Sequence, residues 1–122
     1  MRTAYRVLRE GTEIVAVECV LMASGFWHRI FGLVAGGFRG AEGLLLAPCN
    51  GIHTFFLKEP IDVVVLDKGG KVLRCHTNLR PYRVVWPSAK GRSVLELKAG
   101  TLEHAGISPG MRILFQAADT AD

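Results

Sequence analysis

The chain predicts a mainly β fold: a small, partly closed antiparallel β-barrel or rolled sheet, with one covering helix and a short helical turn. Three observations carry this reading. Short apolar runs, several of them alternating with period two, recur along the whole length. Glycine and proline punctuate them at short intervals, and only one segment shows helical spacing. The strands do not alternate with long helices, which argues against a parallel βαβ fold. Rolling the sheet removes most of the edges that an open sheet of many short strands would expose. A length of 122 residues sets a single domain, 1–116, followed by a flexible tail, 117–122. With 49% apolar and 21% charged residues, the chain has enough material for a core and is not a disordered sequence.

The elements follow in order. Ala4 to Arg9 alternates loosely, and Gly11-Thr12 turns the chain into Glu13–Leu21, where Val15, Val17, Cys19 and Leu21 share one side. From Ser24, a plausible N-cap, the apolar positions Phe26, Ile30 and Leu33-Val34 lie three to four apart until Gly36-Gly37, which predicts the covering helix. Leu44–Leu46, Ile52–Leu57 and Ile61–Leu66 are strand candidates, and Val63-Val64-Val65 gives the strongest β signal. Asp67-Lys68-Gly69-Gly70 reads as a tight turn into Lys71–His76, because glycine supplies the positive φ such turns need. Leu79–Pro87 reads as irregular between its prolines. Ser93–Leu97 alternates, Thr101 caps a helical turn through Ala105 that ends at Gly106, and Met111–Phe115 is the last strand.

No apolar run approaches the roughly 18–20 residues needed to span a bilayer. The N-terminus carries Arg2, Arg6, Arg9 and Glu10 and lacks the apolar centre of a secretory signal, so the sequence as written reads as cytoplasmic. Cys19, Cys49 and Cys75 are odd in number and widely spaced, which suits reduced thiols better than a disulfide or zinc framework.

A set of ordered segments adds a resemblance. Phe31-Gly32-Leu33, Gly43-Leu44-Leu45, Pro48–Leu57, Pro60–Asp67, Val94–Thr101 and Gly106–Gly110 together resemble the prokaryotic family called domain of unknown function 192, from about Gly32 to Ile113. The resemblance implies a compact, mainly antiparallel β fold with a barrel-like core. It carries no catalytic role, and it implies relatives that are often exported or associated with the envelope and pilus assembly. Where many relatives carry a Trp-Met-Lys-Asn-Thr block, this chain has His53-Thr54-Phe55-Phe56-Leu57, a Cys/His variant of the central motif.

Two groups of residues are candidates for function. The first is a pocket bordered by Cys49, His53 and Thr54 that includes Asp62 and Glu96. A thiol near an imidazole can become a thiolate nucleophile, and carboxylates within apolar strands need a donor, a cation or solvent. The bland reading is a small buried cysteine, a histidine bonded to backbone, and carboxylates that fix register or close a loop. Cys75 and His76 are strand neighbours and face opposite sides, so no metal site and no cofactor is expected. The second candidate is a surface for an anionic partner formed by Lys71, Arg74, Arg80, Arg83 and Trp86, in a stretch from Lys68 to Arg92 without Asp or Glu. Tyr82 and Trp86 interleave with these cations, as in single-stranded nucleic acid binding, but nucleic acid is the weaker expectation, since a net charge of +4 is modest and no RNA-binding motif is present. The favoured role is a non-enzymatic accessory module that binds a small ligand or a protein. The alternatives are a hydrolase-like enzyme using Cys49/His53 or Asp62/Glu96, and an electrostatic binder working through Lys68–Arg92.

Overall fold

The computed structural model describes residues 4–11, 15–23, 41–55 and 57–117. Nine strands are present among them: β1 (Ala4–Arg9), β2 (Val15–Ala23), β3 (Gly43–Leu46), β4 (Ile52–His53), β5 (Ile61–Leu66), β6 (Val72–Leu79), β7 (Val84–Val85), β8 (Ser93–Lys98) and β9 (Ile113–Ala117). One short helix, α1 (Thr101–Ala105), precedes β9. Seven strands form one sheet in the order β6-β5-β8-β3-β2-β1-β9, and β4 pairs with β7 in a separate ribbon. The mainly β expectation therefore holds. The predicted helix beginning at Ser24 and the end of the predicted tail lie outside the described residues.

The sheet is rolled but is not a closed barrel. Its two outermost strands meet at one place, where Lys71 and Arg112 form an isolated antiparallel bridge. Three backbone hydrogen bonds hold this seam: Val72 N–H to Met111 O at 2.7 Å, Gly110 N–H to Val72 O at 2.8 Å and Ile113 N–H to Gly70 O at 3.0 Å. Gly70 is required twice over. Its φ is +85°, and a Cβ there would lie 2.7 Å from the Ile113 carbonyl.

Five sequence expectations are corrected. The sheet is not purely antiparallel, because β2 and β3 pair in parallel. That pairing needs a crossover longer than a hairpin, which the connection through 24–42 is long enough to supply. The period-two phase of β2 also breaks. Tyr5 pairs with Val20 but Val7 with Val17, so a bulge brings Val20 into the core alongside Val17. The run Ile52–Leu57 stops being strand after His53, where Thr54 turns the chain, and the segment read as irregular contains β7. Finally, Gly100 rather than Thr101 occupies the N-cap of α1 and offers no side-chain bond.

Two apolar layers result. Val7, Val17, Val20, Leu45, Val64, Leu66, Val72, Leu95, Leu97 and Ile113, from all seven strands, fill the inside of the roll, and Leu102 of α1 and Ile107 close it. Leu44, Leu46, Ile61, Val63, Val65 and Val94 face outward and are covered by Val85 of the ribbon, with Cys49, Ile52 and Leu57 packed against them. Strand alternation assigns each side chain to one layer or the other.

Candidate functional site

This alternation separates the two buried carboxylates. On β5, Asp62 shares a side with Val64 and Leu66, the inner layer, whereas Glu96 on β8 pairs with Val63 and with Leu44 in the outer layer. They therefore lie on opposite faces of the sheet and do not share a cavity. A depression of about 300 Å³ is lined by Pro48, Cys49, Asn50, Gly91 and Arg92, so of the five residues read as one pocket only Cys49 reaches it.

Asp62 is 1% exposed and fully bonded. Oδ1 accepts from Asn78 N–H at 2.8 Å, and Oδ2 accepts from Leu102 N–H at 2.9 Å. Asn78 has φ +52° and lies where the β5–β6 register jumps from Ile61–Leu79 to Val63–His76. One carboxylate thus satisfies the amide freed by a bulge and caps α1 from a distant strand, the task that Gly100 cannot perform. Glu96 is the opposite case. It is 5% exposed and has no hydrogen bond or ion pair among the described residues. Burial raises its pKa from the usual carboxylate range to about 8. His76, also registered with Val63, has a buried Nε2 without a hydrogen-bond partner among the described residues, and burial followed by the charge of Arg74 lowers its pKa.

Cys49 and His53 each have a local partner. The Cys49 thiol donates to the Gly51 carbonyl at 3.1 Å, while His53 Nδ1 accepts from Phe55 N–H at 3.3 Å. The His53 ring stacks on Phe55, with centroids 5.2 Å apart and planes at 27°. Gly51 lets this loop close on the ribbon, since a Cβ there would be 2.7 Å from the Val85 carbonyl. Cys75 packs toward the inner layer, and burial followed by the Asp62 charge raises its pKa.

Thr54 organises the most distinctive feature. It is completely buried. Its N–H donates to Arg83 O at 2.8 Å, its hydroxyl donates to Arg80 O at 2.7 Å, and the hydroxyl oxygen accepts from Arg83 N–H at 2.8 Å. Its carbonyl accepts from Tyr82 N–H at 3.2 Å. Loop 80–83 is therefore tied to one residue, through its backbone and its hydroxyl, with Tyr82 held at φ +63°. Pro81 before it favours such a turn.

Thr54 holds up an exposed ring surface. Tyr82 is 65% and Trp86 72% exposed, with Phe55 and Val84 about two-fifths exposed. Phe55 lies 6.1 Å from Tyr82, ring centre to ring centre. His53 pairs across the ribbon with Val84, and Trp86, the residue after β7, is itself exposed. Arg80 and Arg83 flank Tyr82 and are exposed. Arg74 reaches the ribbon from β6, donating from Nη2 to Trp86 O at 2.7 Å. Lys71 is elsewhere, on the seam opposite Arg112 beside a hollow of about 560 Å³. The predicted basic surface therefore keeps Arg80, Arg83 and Trp86, with Arg74 as a support, and loses Lys71. Sequence reasoning missed Phe55, and it read Tyr82 as interleaved with the cations without including it in the candidate surface. The signal was Arg80-Pro81-Tyr82-Arg83, a turn that places a ring between two cations.

Thr54→Val keeps the shape and removes the hydroxyl, leaving Arg80 O and Arg83 N–H short of a partner. The expected cost is about 2 kcal/mol in urea unfolding, whereas Thr54→Ser stays within about 1 kcal/mol of the parent. Equal losses for both would mean that the methyl, not the hydroxyl, anchors the loop.

Comparison with known proteins gives a consistent picture. A family model, DUF192 (Uncharacterized ACR), matches residues 6–115. The UPF0127 protein PH1112 of Pyrococcus horikoshii is 40% identical over 89 residues, which cover 69% of this chain and 76% of that protein. A crystal structure of a putative transcription regulator from Sinorhizobium meliloti superposes with a TM-score of 0.76 at 22% identity, covering 94% of each chain. A protein of unknown function from Novosphingobium aromaticivorans does so with a TM-score of 0.71 at 23% identity, covering 89% of this chain and 83% of the other. At these identities the likeness to the two solved structures is one of fold.

Proposed function

The chain belongs to the DUF192 family, and we propose that it acts as a non-enzymatic binding module whose recognition face is the β4–β7 ribbon. The observation that carries this reading is the use made of Thr54. A wholly buried side chain commits its donor and its acceptor to a loop whose outward product is an exposed tyrosine between two exposed arginines. Burying rings such as Trp86 and Tyr82 would have been favourable for stability alone. Tyrosine, tryptophan and arginine are also the residues that dominate binding energy at recognition surfaces. A prearranged loop lowers the ordering cost of association. Cys49 and His53 are engaged by Gly51 and Phe55 within their own loop, which supports binding over nucleophilic chemistry there.

The test uses Trp86 as its reporter, in a Trp27→Phe background so that it emits alone. Acidic, basic and neutral peptides and an oligonucleotide are titrated separately. At least one class should shift Trp86 emission saturably, and Tyr82→Ala should weaken that response about tenfold without changing the unfolding midpoint. No saturable shift with any probe, or a shift untouched by Tyr82→Ala, would remove the ribbon as the binding face.

A further inference from the structure

We infer that the partner of this face is a single-stranded nucleic acid, with bases stacked on Trp86 and Tyr82 and phosphates met by Arg80 and Arg83. The inference rests on the binding reading above and names its partner. The sequence interleaves rings with cations but carries no RNA-binding motif; the structure adds the exposure of Tyr82, Trp86, Arg80 and Arg83 and the bracing of Tyr82 by Phe55 and Thr54. Charge decides the sign of the partner. The loop that displays Tyr82 carries exposed Arg80 and Arg83, the chain has no Asp or Glu from Lys68 to Arg92, and Glu59 in the preceding loop is matched by its neighbour Lys58. An anionic partner is therefore favoured.

Ring geometry decides its kind. An acidic peptide gains apolar contact by inserting side chains into a recess. Here the largest rings stand out of the surface, Trp86 at 72% and Tyr82 at 65% exposure. A strand of unpaired bases brings its own flat faces to such rings, and any base will stack. The guanidinium groups on either side of Tyr82 suit phosphate oxygens and can themselves stack on bases. Tyr82 is braced by Phe55 and by Thr54, so the platform exists before the strand arrives.

The experiment titrates the full chain, carrying Trp27→Phe, with oligo(dT), inorganic polyphosphate and an acidic peptide at low salt, reading Trp86 emission and anisotropy of a labelled oligonucleotide. Oligo(dT) should quench Trp86 and bind with a log–log salt slope near −1.4, from two phosphate contacts at about 0.7 each. Trp86→Ala, read by the anisotropy of the labelled oligonucleotide, should weaken oligo(dT) about tenfold or more, while polyphosphate competes for this variant with an unchanged inhibition constant. Arg80→Gln with Arg83→Gln should flatten the salt slope while unfolding stays unchanged. If the acidic peptide shifts Trp86 and oligo(dT) does not, the nucleic-acid assignment falls and the binding face stands. Polyphosphate binding as tightly as oligo(dT), with both indifferent to Trp86→Ala, overturns the stacking inference through simple charge attraction. Silence from all three probes overturns the assignment, and silence from the neutral and basic peptides as well removes the binding face.

Discussion

Glu96→Gln is expected to stabilise the protein strongly above pH 8 and scarcely at all below pH 4.5. Glu96 lies between Leu44 and Val63 on the outer layer, 5% exposed, with no cation or donor bonded to it among the described residues. Burial alone raises its pKa from 4.5 to about 8. The folded state therefore holds a proton that the unfolded chain releases. Stability from this group is present in full below the unfolded pKa. It declines as pH rises through the window from 4.5 to about 8 and is flat above that. The amplitude is on the order of 5 kcal/mol, from about 1.4 kcal/mol per pH unit across the window. Glutamine carries no titrating proton, so the difference between variant and parent should open with pH across this interval. Urea unfolding of both proteins at pH 4, 6, 7, 8 and 9 measures it. A constant difference across that series would mean that the carboxyl finds water or a donor and is not desolvated.

Asp62→Ala is expected to be the most damaging single change at a polar position, at about 3–5 kcal/mol. It strands two amides at once, Asn78 N–H in the β6 bulge and Leu102 N–H at the start of α1. Bonds to a charged acceptor contribute roughly 1.5–3 kcal/mol each, and the orphaned donors remain enclosed. Asp62→Asn keeps one acceptor oxygen and should cost about half as much. Equilibrium unfolding gives the magnitude, and hydrogen exchange gives the location. Protection should fall first at Leu102 and Asn78, with β1 and β2 following only at global unfolding. A loss under about 1 kcal/mol, or uniform loss of protection, would show that the bulge and α1 find other acceptors.

The two carboxylates teach the same lesson about what can be read before folding. Both were legible as carboxylates in apolar strands, and both needed explanation. Which one is satisfied was not legible, because the answer depends on what lies across the sheet. Asp62 meets amides 16 and 40 residues away in sequence, whereas Glu96 meets Leu44 and Val63. Grouping them in one pocket failed because a strand's two sides belong to different layers, and one position's difference in phase is a difference of face. Lys71 failed for a related reason. It is close in sequence to Arg74, yet it lies at the turn that carries the seam, while Arg74 reaches under the ribbon.

Local chemistry in the sequence determined the mainly β character, the hairpin at Asp67–Gly70, the apolar strands β3, β5 and β8, and the family. The family rests on the order of segments along most of the chain; the others depend on residues within a few positions of one another: alternation, β-branching, and glycine where φ must be positive. Only tertiary structure decided the parallel pairing of β2 with β3, the closure of the roll at Lys71–Arg112, the remote capping of α1 and the display of Tyr82 through Thr54. Those features join segments far apart in the chain, and the free energy that selects them comes from burying apolar faces and satisfying enclosed polar groups together, which no short window of sequence contains.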